Sequence, residues 1–181
     1  MVQNVVPNSD DTDGNWTDKD GGSTLYTSID EVSADDATTY IKVTDTSSAE
    51  VCIVLLASPT LPLSSGSAFI KWKALTEDGT GMGAPTLKIE LLQDSTQKAT
   101  TPDTTISTSA WTSYSYEISD VSGISDWDAL KLRITMIAGN GAGMGGSDVM
   151  KVTHAYLETQ DAGSSSIAPL AMNTYKQMRG D

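Results

Sequence analysis

Leu130-Lys131-Leu132-Arg133-Ile134-Thr135-Met136 alternates apolar and polar side chains without a break. Successive side chains of an extended strand point to opposite faces, so one face of this stretch is aliphatic and the other carries two cations and a hydroxyl. The same period of two recurs upstream. Ile70, Trp72 and Ala74 oppose Lys71 and Lys73, and Leu87, Ile89 and Leu91 oppose Lys88 and Glu90. Helical periodicity is almost missing. Strands that bury one face and wet the other build antiparallel two-layer sheets. The fold class is therefore all-β, an antiparallel two-sheet β-sandwich.

Working outward, strands are predicted near 24–29, 38–44, 49–57, 67–75, 85–93, 111–118, 129–138 and 148–158. Turn chemistry fills the gaps, as in Asp45-Thr46-Ser47-Ser48, Leu63-Ser64-Ser65-Gly66 and Glu77-Asp78-Gly79-Thr80-Gly81. Residues 119–128 are expected to make a short helical turn with Ser125 or Asp126 as its N-cap, placing Trp127 as a plug at one end of the sandwich. Three regions result: an extended polar arm over 1–23, a sandwich domain over 24–158, and a C-terminal arm over 159–181. The last contains the hinge Gly163-Ser164-Ser165-Ser166. Beyond it Ile167, Leu170, Met172, Tyr175 and Met178 are too apolar for a free linker and read as anchors for a neighbouring subunit.

Composition narrows the function classes. The chain has 181 residues, 38% hydrophobic and 19% charged, which fits one domain with its own core. Its net charge of −13 repels phosphate backbones and argues against nucleic-acid binding. Residues 1–37 hold nine acids against Lys19 alone, a balance of −8, and the remainder holds fifteen acids against ten bases, a balance of −5. No apolar run is long enough for a transmembrane helix, and the N-terminus lacks the basic start and apolar stretch of a secretory signal. The single Cys52 lies in the apolar run Val51-Cys52-Ile53-Val54 and reads as a small buried hydrophobe, consistent with cytosolic assembly.

Candidate chemistry is sparse. His154 is the lone histidine and falls inside a predicted strand, with no Gly-x-Ser-x-Gly elbow elsewhere, so no nucleophile–base pair can be assembled and no catalytic residue is assigned. One histidine and one cysteine cannot build a zinc tetrad, and no cofactor is implied. Asp11-Thr12-Asp13-Gly14-Asn15 has the alternating oxygens of a calcium loop but lacks its terminal glutamate, so it reads as a solvated acidic segment. Asp30-Glu31 and Asp35-Asp36 are sequence neighbours and read as turn and cap residues rather than a facing carboxylate pair. The glycine-rich run 139–146 precedes Asp148-Val149-Met150-Lys151 instead of a Lys-Ser/Thr pair, so it is a hairpin loop and not a phosphate cradle. Met82 and Met144 stand in Gly-Met-Gly tips suited to an adaptable contact. Of the four tryptophans, Trp72 lies on an inward phase, while Trp111 and Trp16 lie near strand or loop edges, and Trp111 is a candidate stacking platform for a sugar ring. The closing Arg179-Gly180-Asp181 matches the integrin tripeptide by chance frequency alone.

A spaced set of motifs adds a resemblance. Trp16, Tyr26, Ile29-Asp30-Glu31, Asp35-Asp36 and Thr39-Tyr40-Ile41 are followed by Trp111-Thr112-Ser113-Tyr114-Ser115-Tyr116, by Asp126-Trp127-Asp128-Ala129-Leu130-Lys131-Leu132-Arg133-Ile134, and by Tyr156-Leu157-Glu158. In order and spacing these resemble the jelly-roll-like β-sandwich structural proteins that decorate the heads or sit in the tails of tailed bacteriophages. The likeness covers roughly 16–158. It implies a jelly-roll sandwich and a non-enzymatic virion component. The first expectation is a decoration or cement protein on the outer capsid surface, made in the host cytoplasm. It would bind the major capsid protein and copies of itself, as a homo-oligomer with a trimer favoured, through Ile167, Leu170, Met172, Tyr175, Met178, Met82 and Met144. A protein that binds only the assembled lattice stabilises it. The alternative is a receptor- or glycan-binding domain of a tail fibre or tailspike, using the loops around Gly79–Gly83 and Gly139–Gly146 with Trp111 as a stacking platform.

Overall fold

The structure is a computed structural model that describes residues 2–44, 48–60, 66–77, 85–137 and 148–160. Its strands are β1 (Val2–Val5), β2 (Pro7–Thr12), β3 (Thr17–Asp18), β4 (Ile41–Thr44), β5 (Glu50–Leu56), β6 (Ala68–Glu77), β7 (Thr86–Gln93), β8 (Thr96–Thr100), β9 (Thr104–Thr105), β10 (Thr112–Ile118), β11 (Leu130–Ile137) and β12 (Val149–Gln160). A single 3-10 turn, Tyr26–Ser28, interrupts them among the described residues. Sheet I runs β10-β6-β12-β4-β3 with β1 also on β12; sheet II runs β2-β5-β11-β7-β8 with β9 also on β7. All pairings are antiparallel. The expected all-β two-sheet sandwich of jelly-roll type is what the chain forms.

The core lies between the sheets. Ile70, Trp72 and Ala74 of β6, Leu87, Ile89 and Leu91 of β7, and Leu130, Leu132 and Ile134 of β11 are all buried, on the phase read from the sequence. Trp72 stacks on Tyr114 of the edge strand β10, ring centroids 5.4 Å apart at 13°. Cys52 is fully buried, and burial is the main cause that pushes its thiol well above the ordinary range, followed by Asp10 and Asp13.

Four expectations are corrected. Residues 1–23 are not a free arm. β1 pairs with the end of β12, and β2 pairs with β5, so the N-terminus closes an edge of each sheet. Their polar sequence reflects service at edges and turns: of their described residues only Val5, Pro7 and Trp16 are buried, and Asp10 accepts the backbone N–H groups of Leu25 (2.9 Å) and Tyr26 (2.8 Å). Residues 24–29 form the 3-10 turn instead of a strand, because the buried pair is Leu25 and Ile29, four apart, which a strand would place on one face with Thr27 between. Residues 119–128 hold no helix. Asp120 and Asp126 accept the N–H two residues on (2.8 and 3.0 Å), making side-chain turns, and Ser125 is engaged with Gln93 and caps nothing. Trp127 is nonetheless buried in the core cluster. β8 and β9 were not expected, since Thr96-Gln97-Lys98-Ala99-Thr100 has no apolar alternation. The C-terminal arm is described only as far as Gln160, where it continues β12.

Candidate functional site

Strand register arranges the outer face of sheet I in rows. Leu75 pairs with Lys151, Lys73 with His154, Lys71 with Tyr156 and Phe69 with Glu158. On the other side of β6, Lys73 pairs with Ser113, Lys71 with Ser115 and Phe69 with Glu117. Trp111 stands one step before Thr112, which pairs with Ala74, so it flanks the Leu75 row. Tyr40, one step before β4, packs against it: the ring centroids are 5.9 Å apart at 51°. Lys151 Nζ lies 5.0 Å from the centre of the Tyr40 ring and is ion-paired with Glu77. The result is a partly exposed aromatic pair with a cation against it, a surface that offers a π-face beside hydrogen-bond donors.

The segment after the 3-10 turn crosses this face. Asp36, at φ +55°, places a carboxylate oxygen 2.6 Å from Lys73 Nζ. Thr39 Oγ1 lies 2.9 Å from both Glu31 and Asp35 carboxylate oxygens, and its carbonyl accepts Thr153 Oγ1–H at 2.9 Å. Beneath lies His154, 8% exposed, its ring 5.4 Å from that of Tyr156. Burial is the main cause that holds its pKa below the ordinary value of 6.5. Lys73 adds to the depression and Asp36 opposes it. Its Nδ1 has no hydrogen-bond partner among the described residues, so no nucleophile or orienting acid engages that nitrogen there. Burial likewise raises the Tyr156 pKa, against Lys71 and with Glu158.

The outer face of sheet II has a different chemistry. Arg133 grips Glu90 through two 2.6 Å hydrogen bonds, which lower the Glu90 pKa and raise that of Arg133. Lys131 reaches Asp11 at 3.1 Å. A shallow groove of about 390 Å³ runs over them, lined also by Ile53, Leu92, Asp94 and Ser95. It has an aliphatic floor, matched ions and no aromatic ring.

The sequence candidates fall as follows. Trp111 is at the sheet I platform. Trp16, Trp72 and Trp127 are buried, and Trp16 Nε1–H donates to the Glu50 carbonyl at 3.2 Å. The residues of the calcium-like segment go to separate structural partners: Asp11 to Lys131 and Asn15 to Glu50 at 2.6 Å. Met82, Met144, Ile167, Leu170, Met172, Tyr175 and Met178 lie outside the described residues. Two contributors were missed as site residues. Phe69, the chain's single phenylalanine, is partly exposed on the outer face, with Lys71 Nζ 5.9 Å from its ring centre. Its phase was legible, because Ile70, Trp72 and Ala74 point inward. Tyr40 lay on the outward phase of the strand predicted near 38–44, opposite Ile41 and Val43, but nothing in the sequence set it beside Trp111.

No family model and no curated protein matches the chain. Among solved structures, the arabinose-bound MgGH51 α-L-arabinofuranosidase overlaps 82% of this chain with 23% of its own, at 10% identity and a TM-score of 0.52. This chain thus corresponds to about a quarter of that enzyme, and the likeness is one of fold. The N-terminal cellulose-binding domain of a Cellulomonas fimi β-1,4-glucanase C (86% of this chain, 97% of that one, 9% identity, TM-score 0.46) is a more distant likeness. So is the enzymatically active domain of tailspike protein 4 from bacteriophage CBA120 (87% and 19%, 6% identity, TM-score 0.38).

Proposed function

We propose that this protein is a non-catalytic glycan-binding module, of the receptor-binding kind carried on a phage tail fibre or tailspike, and that it holds its ligand on the outer face of sheet I. The observation that carries this reading is the partly exposed Trp111 ring beside Tyr40, with Lys151 against the Tyr40 ring. A sugar ring presents C–H bonds on its faces and hydroxyls at its rim. An aromatic face takes the former, and the ammonium and carboxylate groups of Lys151, Glu77, Lys73 and Asp36 take the latter. The capsid-cement reading rests on anchors that lie outside the described residues, and no described surface favours it.

The test is a glycan array run beside cosedimentation with empty phage heads. Binding on the array, reduced at least tenfold in the Trp111→Ala variant at unchanged thermal stability, is the expected result; losing one aromatic contact of ~1 kcal/mol together with its buried area accounts for that size. Tight binding to bare heads with a silent array would return the protein to the lattice.

A further inference from the structure

We infer that the ligand is a linear, uncharged glycan bound along its length, over the seam between β6 and β10, and not a monosaccharide or chain end taken at Trp111 alone. This rests on the function proposed above and deepens it. Two partly exposed aromatic rings stand on this face at opposite ends of the seam: Trp111 beside Leu75, and Phe69 six residues away along β6. At the rise of an extended strand that separation is about 20 Å, several times the width of one pyranose ring. Between them the β10 side of the seam carries the exposed hydroxyls of Ser113 and Ser115, and the β6 side carries Lys71 and Lys73, the latter held by Asp36 of the segment that crosses the face. No side chain of β10 rises between the rings to obstruct an extended chain, because the bulky Tyr114 and Tyr116 pack toward the core.

The charge on the seam is already matched. Lys71 lies 2.6 Å from Glu158 and Lys73 2.6 Å from Asp36, while Lys151 is paired with Glu77. The exposed Glu117 opposite Phe69 adds negative charge at one end, and the whole chain carries −13. A uronic acid or sulfate would meet repulsion and no unpaired cation on this seam, whereas neutral hydroxyls find both donors and acceptors.

The experiment takes the full chain, an array of neutral and anionic polysaccharides, and then calorimetry with oligosaccharides of one to six units prepared from the neutral polysaccharide that binds best. Affinity is expected to rise by tenfold or more from the monomer to the longer oligomers. Phe69→Ala should remove most of that rise while leaving the shortest ligands unaffected. Ser115→Arg, an exposed change that fills the middle of the seam, should do the same without touching either ring. Equal affinity for all lengths, or full length-dependence in both variants, overturns the seam. Binding confined to anionic polysaccharides overturns the neutral class while leaving a glycan-binding function in place. A silent array overturns both this inference and the function it rests on.

Discussion

His154 is held where the neutral ring is favoured over the charged one, between Lys73 and Tyr156 and under the Asp36 segment. Its folded pKa lies below the ordinary 6.5 of the unfolded chain. Between those two values the unfolded chain holds a proton that the folded one lacks, so the contribution is intact above pH 6.5 and is lost as pH falls toward the folded value. Chemical denaturation at pH 7.5 and 5.0 should therefore show a larger acid loss in the native chain than in His154→Gln, which shares every carboxylate; parallel losses would remove the histidine from the account. Gly14 makes a second residue-level case. Its φ is +58°, and a Cβ there would come within 2.1 Å of the Val51 carbonyl oxygen, a backbone atom that cannot swing away. Gly14→Ala should cost roughly 2 kcal/mol or more, read from the urea midpoint, and a change under 0.5 kcal/mol would contradict the packing. Gly14 was read from the sequence only as part of a calcium-like loop, because a close backbone approach leaves no mark in composition. Trp111 and Phe69 were legible at this level: one borders a predicted strand, the other sits on the outward phase of one. The contact of Tyr40 with Trp111 was not, since patterning does not say which distant strands lie side by side.

Strand-level legibility followed the period of two wherever both flanking strands enforced it. β6, β7 and β11 lie inside their sheets, so their inward residues had to be apolar, and their alternation was visible. β12 breaks phase. A register shift between Val152 and His154 inserts one residue, so Met150 and Val152 point inward before it and Ala155 and Leu157 after it. The bulge is what turns His154 and Tyr156 outward, and a strict alternation would have buried His154 in the core. β1, β2 and β8 were invisible for the converse reason, because an edge strand is held by backbone hydrogen bonds more than by an apolar face. Their role is nevertheless structural. Val5 is in the core, and β2 covers the free side of β5. Deleting residues 1–12 should lower the thermal midpoint by more than 10 °C or yield aggregated protein, as two uncovered edges would dictate. A soluble deletion product with the native midpoint would restore the expected arm.

Among the described residues the core cluster runs from Val5 to Leu157. The sequence reads Ile167, Leu170, Met172, Tyr175 and Met178 as anchors for a neighbouring subunit, and we propose that they assemble the chain into a homo-oligomer. A single aromatic-lined seam with matched charges gives modest affinity, since its contacts are solvent-facing and few. Joining several copies converts each later binding event into an intramolecular one and raises avidity by about 10²–10⁴ when the sites face one polymer surface. Removal of residues 163–181 is accordingly expected to leave the thermal midpoint unchanged after allowance for lost subunit contacts. It should convert the oligomer, a trimer in our reading, to a monomer by light scattering, and leave oligosaccharide affinity in solution unaltered. Retention on a polysaccharide-coated surface should fall by two orders of magnitude. A truncated chain that keeps its mass in solution places the assembly contact on the sandwich itself, and one that loses oligosaccharide binding as well places the tail in the ligand site.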